Sequence, residues 1–451
     1  MEYPGATFIR PLRRAVLFLF IATFFIAAPL VVLYTTGYRY DFKNGLWRET
    51  GSLSVDVEPA TARVSLDNLA LPDVLPIRLK DIIPHKYNLK ISAPGYYDWQ
   101  KEIDIKNKQT TYIKEVVLLK KSQPREIVRG KVSALGVSHD GQYLLYSLNQ
   151  DTHTPIFLRD TATGQNTIVA DFPGPEPPQI VWARKNNTAV IAAPQQAPFT
   201  RLMVVTADNL TKTRDLTPVA GGPIAAFEWR DSVEAELYYS TPGTIASFFP
   251  ITGQKRTITK NSYLGWRVEQ GGLWTLSAAT TTASLTITKD TIGFSKTFAT
   301  VPLPAESPTM ADPAQWRLLS AENDTVLLGN KAAAKMFIVR PDKQFTVSAT
   351  ALLLSPYNHW WLLSSPSELW TYSDGDEPYL LTRSGESLRG VAPLDQYNTL
   401  AIYSDKTVSF IFPYYLVQHD MVKHGVAALS ADTTNRVLYF GDQNGLWSLT
   451  Y

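Results

Sequence analysis

Cysteine is absent from all 451 residues. That excludes disulfides, thiolate metal sites and a cysteine nucleophile together. It leaves the compartment open, because a chain without thiols tolerates reducing and oxidising surroundings alike. A charge surplus is also missing: the formal net charge is +2, and charged residues make up 19 %, below the usual quarter. No basic stripe calls for nucleic acid, and no acidic tail calls for a disordered arm. Nucleotide-binding glycine loops are missing too, in both the G-x-x-x-x-G-K and the G-x-G-x-x-G form. Aromatic residues, by contrast, reach 12 %, a share that suits strands with large half-buried side chains.

The longest apolar run lies near the start. Ala15 to Tyr34, "AVLFLFIATFFIAAPLVVLY", carries no charge over twenty residues. As a helix rising about 1.5 Å per residue it spans roughly 30 Å, the thickness of a bilayer core. Arg10, Arg13 and Arg14 precede it. Cleavage after Ala28 would place Ile26 where a small residue is wanted and leave Pro29 at the new terminus, so the segment reads as an uncleaved anchor. Arg39, Lys43 and Arg48 follow closely and nearly balance the upstream arginines. The tight upstream cluster and the long downstream chain place the N-terminus inside and the bulk outside the cytoplasm.

Residues 51–120 alternate. Leu53, Val55 and Val57 oppose Ser52, Ser54 and Asp56, and Val64, Leu66, Tyr87, Leu89, Ile91, Ile103 and Ile105 extend the apolar face. Short strands with turn signals between them read as a small antiparallel sandwich. The strand "GSLSVDV", the segment "EPATARVSLDN", the stretch "LPIRLKDIIPHKYNLKIS" and the turn "APGYYDW" resemble the PEGA domain, a β-sandwich module of bacterial envelope and surface proteins. The four-residue signature of that family would fall at Pro59-Ala60-Thr61-Ala62, where only Pro59 and Ala62 match. "TTGYRYDFKNGLWRETG" also resembles the juxtamembrane segment of anchored members. The resemblance implies a fold and a location, and no catalytic residue. Within it, Pro94 and Gly95 read as a turn, and Tyr96 and Trp99 as caps of the sandwich core, with a carbohydrate-stacking platform as the rival reading.

From about residue 131 the chain lacks helical periodicity and cycles through strands and polar turns. Units start near residues 133, 178, 224, 265, 316, 350, 390 and 427, an average spacing of about 42. That is the length of one four-stranded propeller blade, and it gives eight blades, with seven as the alternative. "SHDGQYLLYS" (Ser138 to Ser147) resembles a turn of TolB-like and WD-type propellers, and "DTATGQ" and "PITGQKRTIT" resemble their third-strand hairpin. The last unit supplies only three strands, "GVAALS", "RVLYFGD" and "GLWSLTY". Pro124 to Lys131, "PREIVRGK", is therefore expected to supply the fourth and lock the ring, whereas Asp171 to Pro178 reads as a loop.

Chemical motifs are sparse. His419, Asp420 and His424 are the nearest approach to a metal set, and their spacing favours a solvated loop. Gly385 to Gly390, "GESLRG", resembles a nucleophile elbow only superficially, since Arg389 stands where the second glycine belongs. In His359-Trp360-Trp361, alternation sends the two tryptophans to opposite faces, one of them between blades. Asn186, Asn209 and Asn323 begin glycosylation sequons that matter only on a eukaryotic secretory route.

The resulting expectation is an all-β chain with five parts: a short cytoplasmic N-terminus (1–14), a transmembrane helix (15–34), a juxtamembrane linker (35–50), a PEGA-like β-sandwich (51–120) and a large β-propeller (124–451). It is a single-pass, non-catalytic binding or scaffolding protein displayed at the cell surface. Its expected partners are the membrane and a protein or glycan ligand, with no nucleic acid and no cofactor. No catalytic, metal or ligand-binding residue is assigned. A propeller enzyme with acids near the central channel, and a sensor or assembly factor coupled to a membrane partner, are the alternatives.

Overall fold

A computed structural model describes residues 9–41, 45–72, 74–194, 196–269, 271–279, 283–291, 294–304, 307–322, 324–354, 360–373, 377–397 and 399–451. The chain divides into two compact units, Met1–Lys121 and Ser122–Tyr451.

The first unit opens with helix α1 (Ile9–Thr35). Its apolar side chains face outward along its length; Phe18, Phe20 and Phe25 each keep 70 % or more of their surface exposed. A core helix of a water-soluble domain would bury one stripe; this one is long and apolar enough to cross a membrane by length and composition. The terminal carbonyls are satisfied locally. The Thr35 and Thr36 hydroxyls donate back to Val31 and Val32, and Arg39 Nη1 donates to the Tyr34 carbonyl at 2.7 Å. Gly37, at φ +86°, ends the helix in the left-handed conformation and donates its N–H to the same carbonyl.

Strands β1 (Tyr38–Asp41) and β2 (Leu46–Glu49) form a hairpin after the helix. Two sheets follow. One joins β6 (Ile77–Ile82), β3 (Gly51–Glu58) and β9 (Thr110–Val117); the other joins β5 (Leu69–Ala70), β4 (Arg63–Leu66), β7 (Lys86–Ser92) and β8 (Trp99–Asp104). Leu53, Val55 and Val57 point inward as their alternation requires. One expectation is corrected: the sandwich is not wholly antiparallel, because β3 and β9 pair in parallel. Alternation fixes which face a side chain takes but not the direction of a distant partner strand, and β9 reaches β3 only after the chain has built the other sheet.

Among the described residues, the second unit contains eight four-stranded antiparallel sheets. Seven are consecutive meanders, beginning at Leu135, Gln179, Ala226, Gly265, Trp316, Ala351 and Leu388. Each starts with its inner strand. In the eighth, Ala428–Asp432, Val437–Gly441 and Gly445–Thr450 are completed on the outside by β10 (Arg125–Arg129), as the missing-strand argument requires. Side chains tie neighbouring sheets together. Trp182 Nε1 donates to the Gly136 carbonyl (2.7 Å), Trp229 Nε1 to Val181 (3.1 Å), and Arg267 Nε to Leu319 (2.7 Å). The Val268 N–H donates to Glu228 (2.9 Å), Trp361 Nε1 to the Ser320 hydroxyl (3.2 Å), and the Tyr451 hydroxyl to Leu394 (2.7 Å). The Val137 N–H donates to Ser430 (3.1 Å) across the junction of the last and first sheets. Between the sixth and seventh sheets, Leu362 and Leu369 pack against Leu400 and Ile402. These contacts link every sheet to the next and the last to the first, which makes the unit a β-propeller.

Of Asp171 to Pro178, the loop expected from composition is found from Gly174 on, while the first three residues are strand. Asp171, Phe172 and Pro173 end the outer strand of the first sheet, and Phe172 is buried under the Arg201 guanidinium. Proline at a strand's outer end costs no ladder bond, so it does not mark a loop there.

Candidate functional site

The inner strands enclose a channel of about 1490 Å³ walled by the first five sheets and the last two. Val137, Val181, Phe227 and Val268 supply apolar wall. Glu228 and Glu269 of its polar wall come from two short sequences, "AFEWR" and "GWRVE", which open the third and fourth sheets. Both alternate a buried tryptophan (Trp229, Trp266) with charged residues, so the charges take the face opposite the packed rings.

Glu228 and Glu269 are each anchored on the neighbouring inner strand. Glu228 accepts the Val268 N–H, and Glu269 accepts the Ser320 hydroxyl (3.0 Å) and the Ala321 N–H (3.1 Å). Protein atoms surround both carboxyls although the residues keep some exposed surface. Burial raises the Glu228 carboxyl above its usual range, while Arg267, the Val268 amide and Arg184 pull it back. Burial, followed by the nearby Glu228 charge, pushes Glu269 up to about 7. A neutral carboxyl on this wall relieves both the desolvation and the repulsion between the two acids.

The cations of the channel behave differently from one another. Lys185 pairs with Asp231 (3.2 Å) and Arg230 with Glu236 (2.8 Å). Arg184, Arg317 and Lys331 are exposed on the channel wall and have no ion-pair partner among the described residues. Arg184 follows the end of its inner strand (Gln179–Trp182), whereas Arg317 lies at the start of its own (Trp316–Glu322), with Lys331 beside it. Inner strands of a propeller run in the same sense, so the unpaired cations stand at both mouths.

Ser138 and His139 of "SHDGQYLLYS" line the channel, and the other motifs singled out in the sequence lie elsewhere. Trp99 is fully buried in the sandwich, and Tyr96 bridges to Lys120 at the sandwich edge. His419 packs edge-on against Phe412, Asp420 accepts the Ser409 hydroxyl (2.6 Å), and His424 lies 3.6 Å from the Asp442 carboxylate, so the three serve separate contacts. In "GESLRG", Glu386 accepts the Ser404 hydroxyl at 2.5 Å and Arg389 pairs with Asp405. Trp361 is buried between sheets and Trp360 is part-buried, while His359 lies outside the described residues. Asn209 caps a short 3-10 turn, Asn186 donates to the Val233 carbonyl, and Asn323 lies outside the described residues.

Residues 50–120 match the family model for the PEGA domain. No curated protein matches the chain. Among solved structures, one titled "Crystal Structure of Mitotic Checkpoint Complex" aligns at a TM-score of 0.41 and 9 % identity, over 73 % of this chain and 95 % of that one. The propeller assignment rests on the sheets and their ring of contacts, not on that likeness.

The Glu269 carboxyl makes stability depend on pH with a definite sign. Its folded value of about 7 lies above the usual 4.5, so its stabilising contribution is complete below about pH 4.5 and is lost as pH rises through 7. The shift corresponds to about 3 kcal/mol. Thermal melts should therefore show wild type losing stability between pH 5 and pH 8 relative to Glu269→Gln, which keeps an acceptor for the Ala321 N–H. Parallel pH profiles for the two proteins would contradict the assignment.

Proposed function

We propose that this is a membrane-anchored, extracytoplasmic binding or scaffolding protein whose propeller channel recognises an acidic protein or glycan. Two features support the location: the outward-facing apolar helix and the PEGA match directly after it.

The observation that carries the binding reading is the set of unpaired cations, Arg184, Arg317 and Lys331, at the mouths of a large rigid cavity. Charge-assisted hydrogen bonds to such groups contribute about 1.5–3 kcal/mol. Oligogalacturonate and hexaglutamate, titrated calorimetrically, are suitable acidic probes. Each arginine removed should weaken binding on the order of tenfold. Arg184→Ala and the pair Arg317→Ala/Lys331→Ala, tested separately, assign the binding mouth. Saturable binding that all these variants leave unchanged would contradict the reading.

A second reading, a propeller enzyme, draws on Glu269, a carboxyl pushed to about 7 beside a second acid. Both acids, however, are already committed to hydrogen bonds that join neighbouring sheets. The binding reading needs no such double duty.

A further inference from the structure

The hairpin of β1 and β2 presents an apolar and aromatic surface that the first unit does not cover. Tyr34 keeps 62 % of its surface exposed, Leu46 60 %, and Tyr40 and Trp47 42 % each. Tyr40 and Trp47 are cross-strand neighbours and meet edge to face, with ring centroids 5.4 Å apart. A lone two-stranded hairpin is marginal in water, so its rigidity needs outside support. Here the support comes from two sides. At the helix end, Arg39 Nη1 holds the Tyr34 carbonyl, and its guanidinium lies 3.8 Å over the Tyr34 ring. At the sandwich, Thr50 donates twice to the Gly37 carbonyl, Arg39 pairs with Asp81, and Lys108 pairs with Glu49 at 3.0 Å. The Tyr38 hydroxyl donates to the same Glu49 at 2.7 Å.

We propose that this hairpin is a lipid-contacting foot, seated in the headgroup layer of the bilayer that α1 crosses. The inference rests on the reading of α1 as a membrane span. Continuity names the occupant: the hairpin starts at Tyr38, three residues after the helix ends at Thr35, and its bonds to the helix terminus hold it there. Tyrosine and tryptophan are the side chains that favour this layer, with an apolar ring and a polar edge. Three such exposed residues, Tyr34, Tyr40 and Trp47, fall within fourteen positions that run from the last turn of the helix into the hairpin, with Leu46 beside them. The foot orients the sandwich on the membrane, and the span alone would leave that orientation to rotation about Gly37.

The absence of cysteine makes the test direct, because any single introduced thiol is labelled without background. Nitroxide is attached to Leu46→Cys, Phe24→Cys and Glu102→Cys in the full chain, reconstituted in phosphatidylcholine–phosphatidylglycerol vesicles. Leu46→Cys leaves both ring residues in place. Accessibility to oxygen is then compared with accessibility to a water-soluble nickel chelate. The expected oxygen-to-nickel ratio at 46 is severalfold above that at 102 and below that at 24. A ratio at 46 equal to that at 102, with 24 lipidic, overturns the foot while leaving the span intact. An aqueous ratio at 24 overturns the span and the foot with it. Spin–spin broadening at 46 with low oxygen access assigns the face to a second copy of the chain and also overturns the proposal.

Discussion

Deleting residues 123–130 should lower the melting temperature of the propeller by roughly 10 °C or more and promote aggregation. This segment contains β10, the outer strand of the eighth sheet, and it is the one strand of that sheet drawn from the other end of the unit. Arg125, Glu126, Val128 and Arg129 pair with Ser448, Trp447, Leu446 and Gly445. The Gly130 and Val132 N–H groups extend the seam to Asn444 and Asp442. Ile127 and Val128 pack on the cluster of Val132, Leu135, Tyr146, Tyr439 and Leu446, which joins the first and last sheets. Deletion removes those contacts and leaves the N–H and C=O groups of Gly445–Thr450 unpaired along an open edge.

The comparison that isolates closure is deletion of Gln254–Thr259, the outer strand of the third sheet, whose first four residues are exposed. It also strips one strand and exposes one edge, but both neighbouring sheets stay covalently joined. A propeller held by its seam should lose markedly more from the first deletion than from the second. Gly445→Val provides a point test, since a Cβ there would lie 2.5 Å from the Val128 carbonyl oxygen and wedge the strands apart. Differential scanning calorimetry on all three variants reads the result. Equal losses from the two deletions, together with a silent Gly445→Val, would show that the ring does not depend on this closure.

Much of this architecture was legible because its signals are local. The alternation of Leu53, Val55 and Val57 follows from the two-residue repeat of a strand and needs no partner to be seen. "SHDG" works similarly: Asp140 accepts the Gln142 N–H at 3.0 Å and the Ser138 hydroxyl at 2.7 Å, and Ser138 accepts the Tyr143 N–H. Asp432 and Asp442 repeat this turn chemistry in the last sheet, so the period of the units is written in side chains that act within five residues. The closing strand was legible by subtraction, from a last unit that was one strand short.

What the sequence hid is non-local. The parallel pairing of β3 with β9 depends on where the chain returns, and no side chain near either strand encodes it. Phe172 read as part of a Pro-rich loop because the residues that bury it, Leu145, Ile156, Ala189, Ile191 and the overlying Arg201 among them, come from distant positions in two sheets. The channel acids were missed for a related reason. Glu228 and Glu269 occupy ordinary strand positions, and only the approach of the neighbouring inner strand buries them. A signal did exist, because "AFEWR" and "GWRVE" place acids opposite a tryptophan at the head of consecutive units. Comparing unit heads with one another would have found it.

Trp99→Ala should cost the first unit about 3–5 kcal/mol, the range for removing a fully buried large ring. Trp99 has 0 % exposure and heads β8, where it pairs with Ile91 across the sheet. Its neighbours in "APGYYDW" divide the remaining work. Gly95 takes φ +80° to make the turn, the Tyr96 N–H closes it on the Ala93 carbonyl at 3.1 Å, and the Tyr97 N–H bonds the Leu119 carbonyl. A stacking platform for sugars needs ring faces open to solvent, and the ring at Trp99 has none. The cost should fall on one unit alone, because the propeller has its own clusters of buried residues. Hydrogen exchange read by mass spectrometry on the full chain separates the two outcomes. Peptides from 51–120 should lose protection in Trp99→Ala, while peptides from 135–450 exchange as in wild type. A loss of protection worth well under 1 kcal/mol within 51–120 would return the ring to the surface and reopen the binding-platform reading. Full loss of protection across the whole chain would instead make the two units one cooperative body, against the division at Lys121.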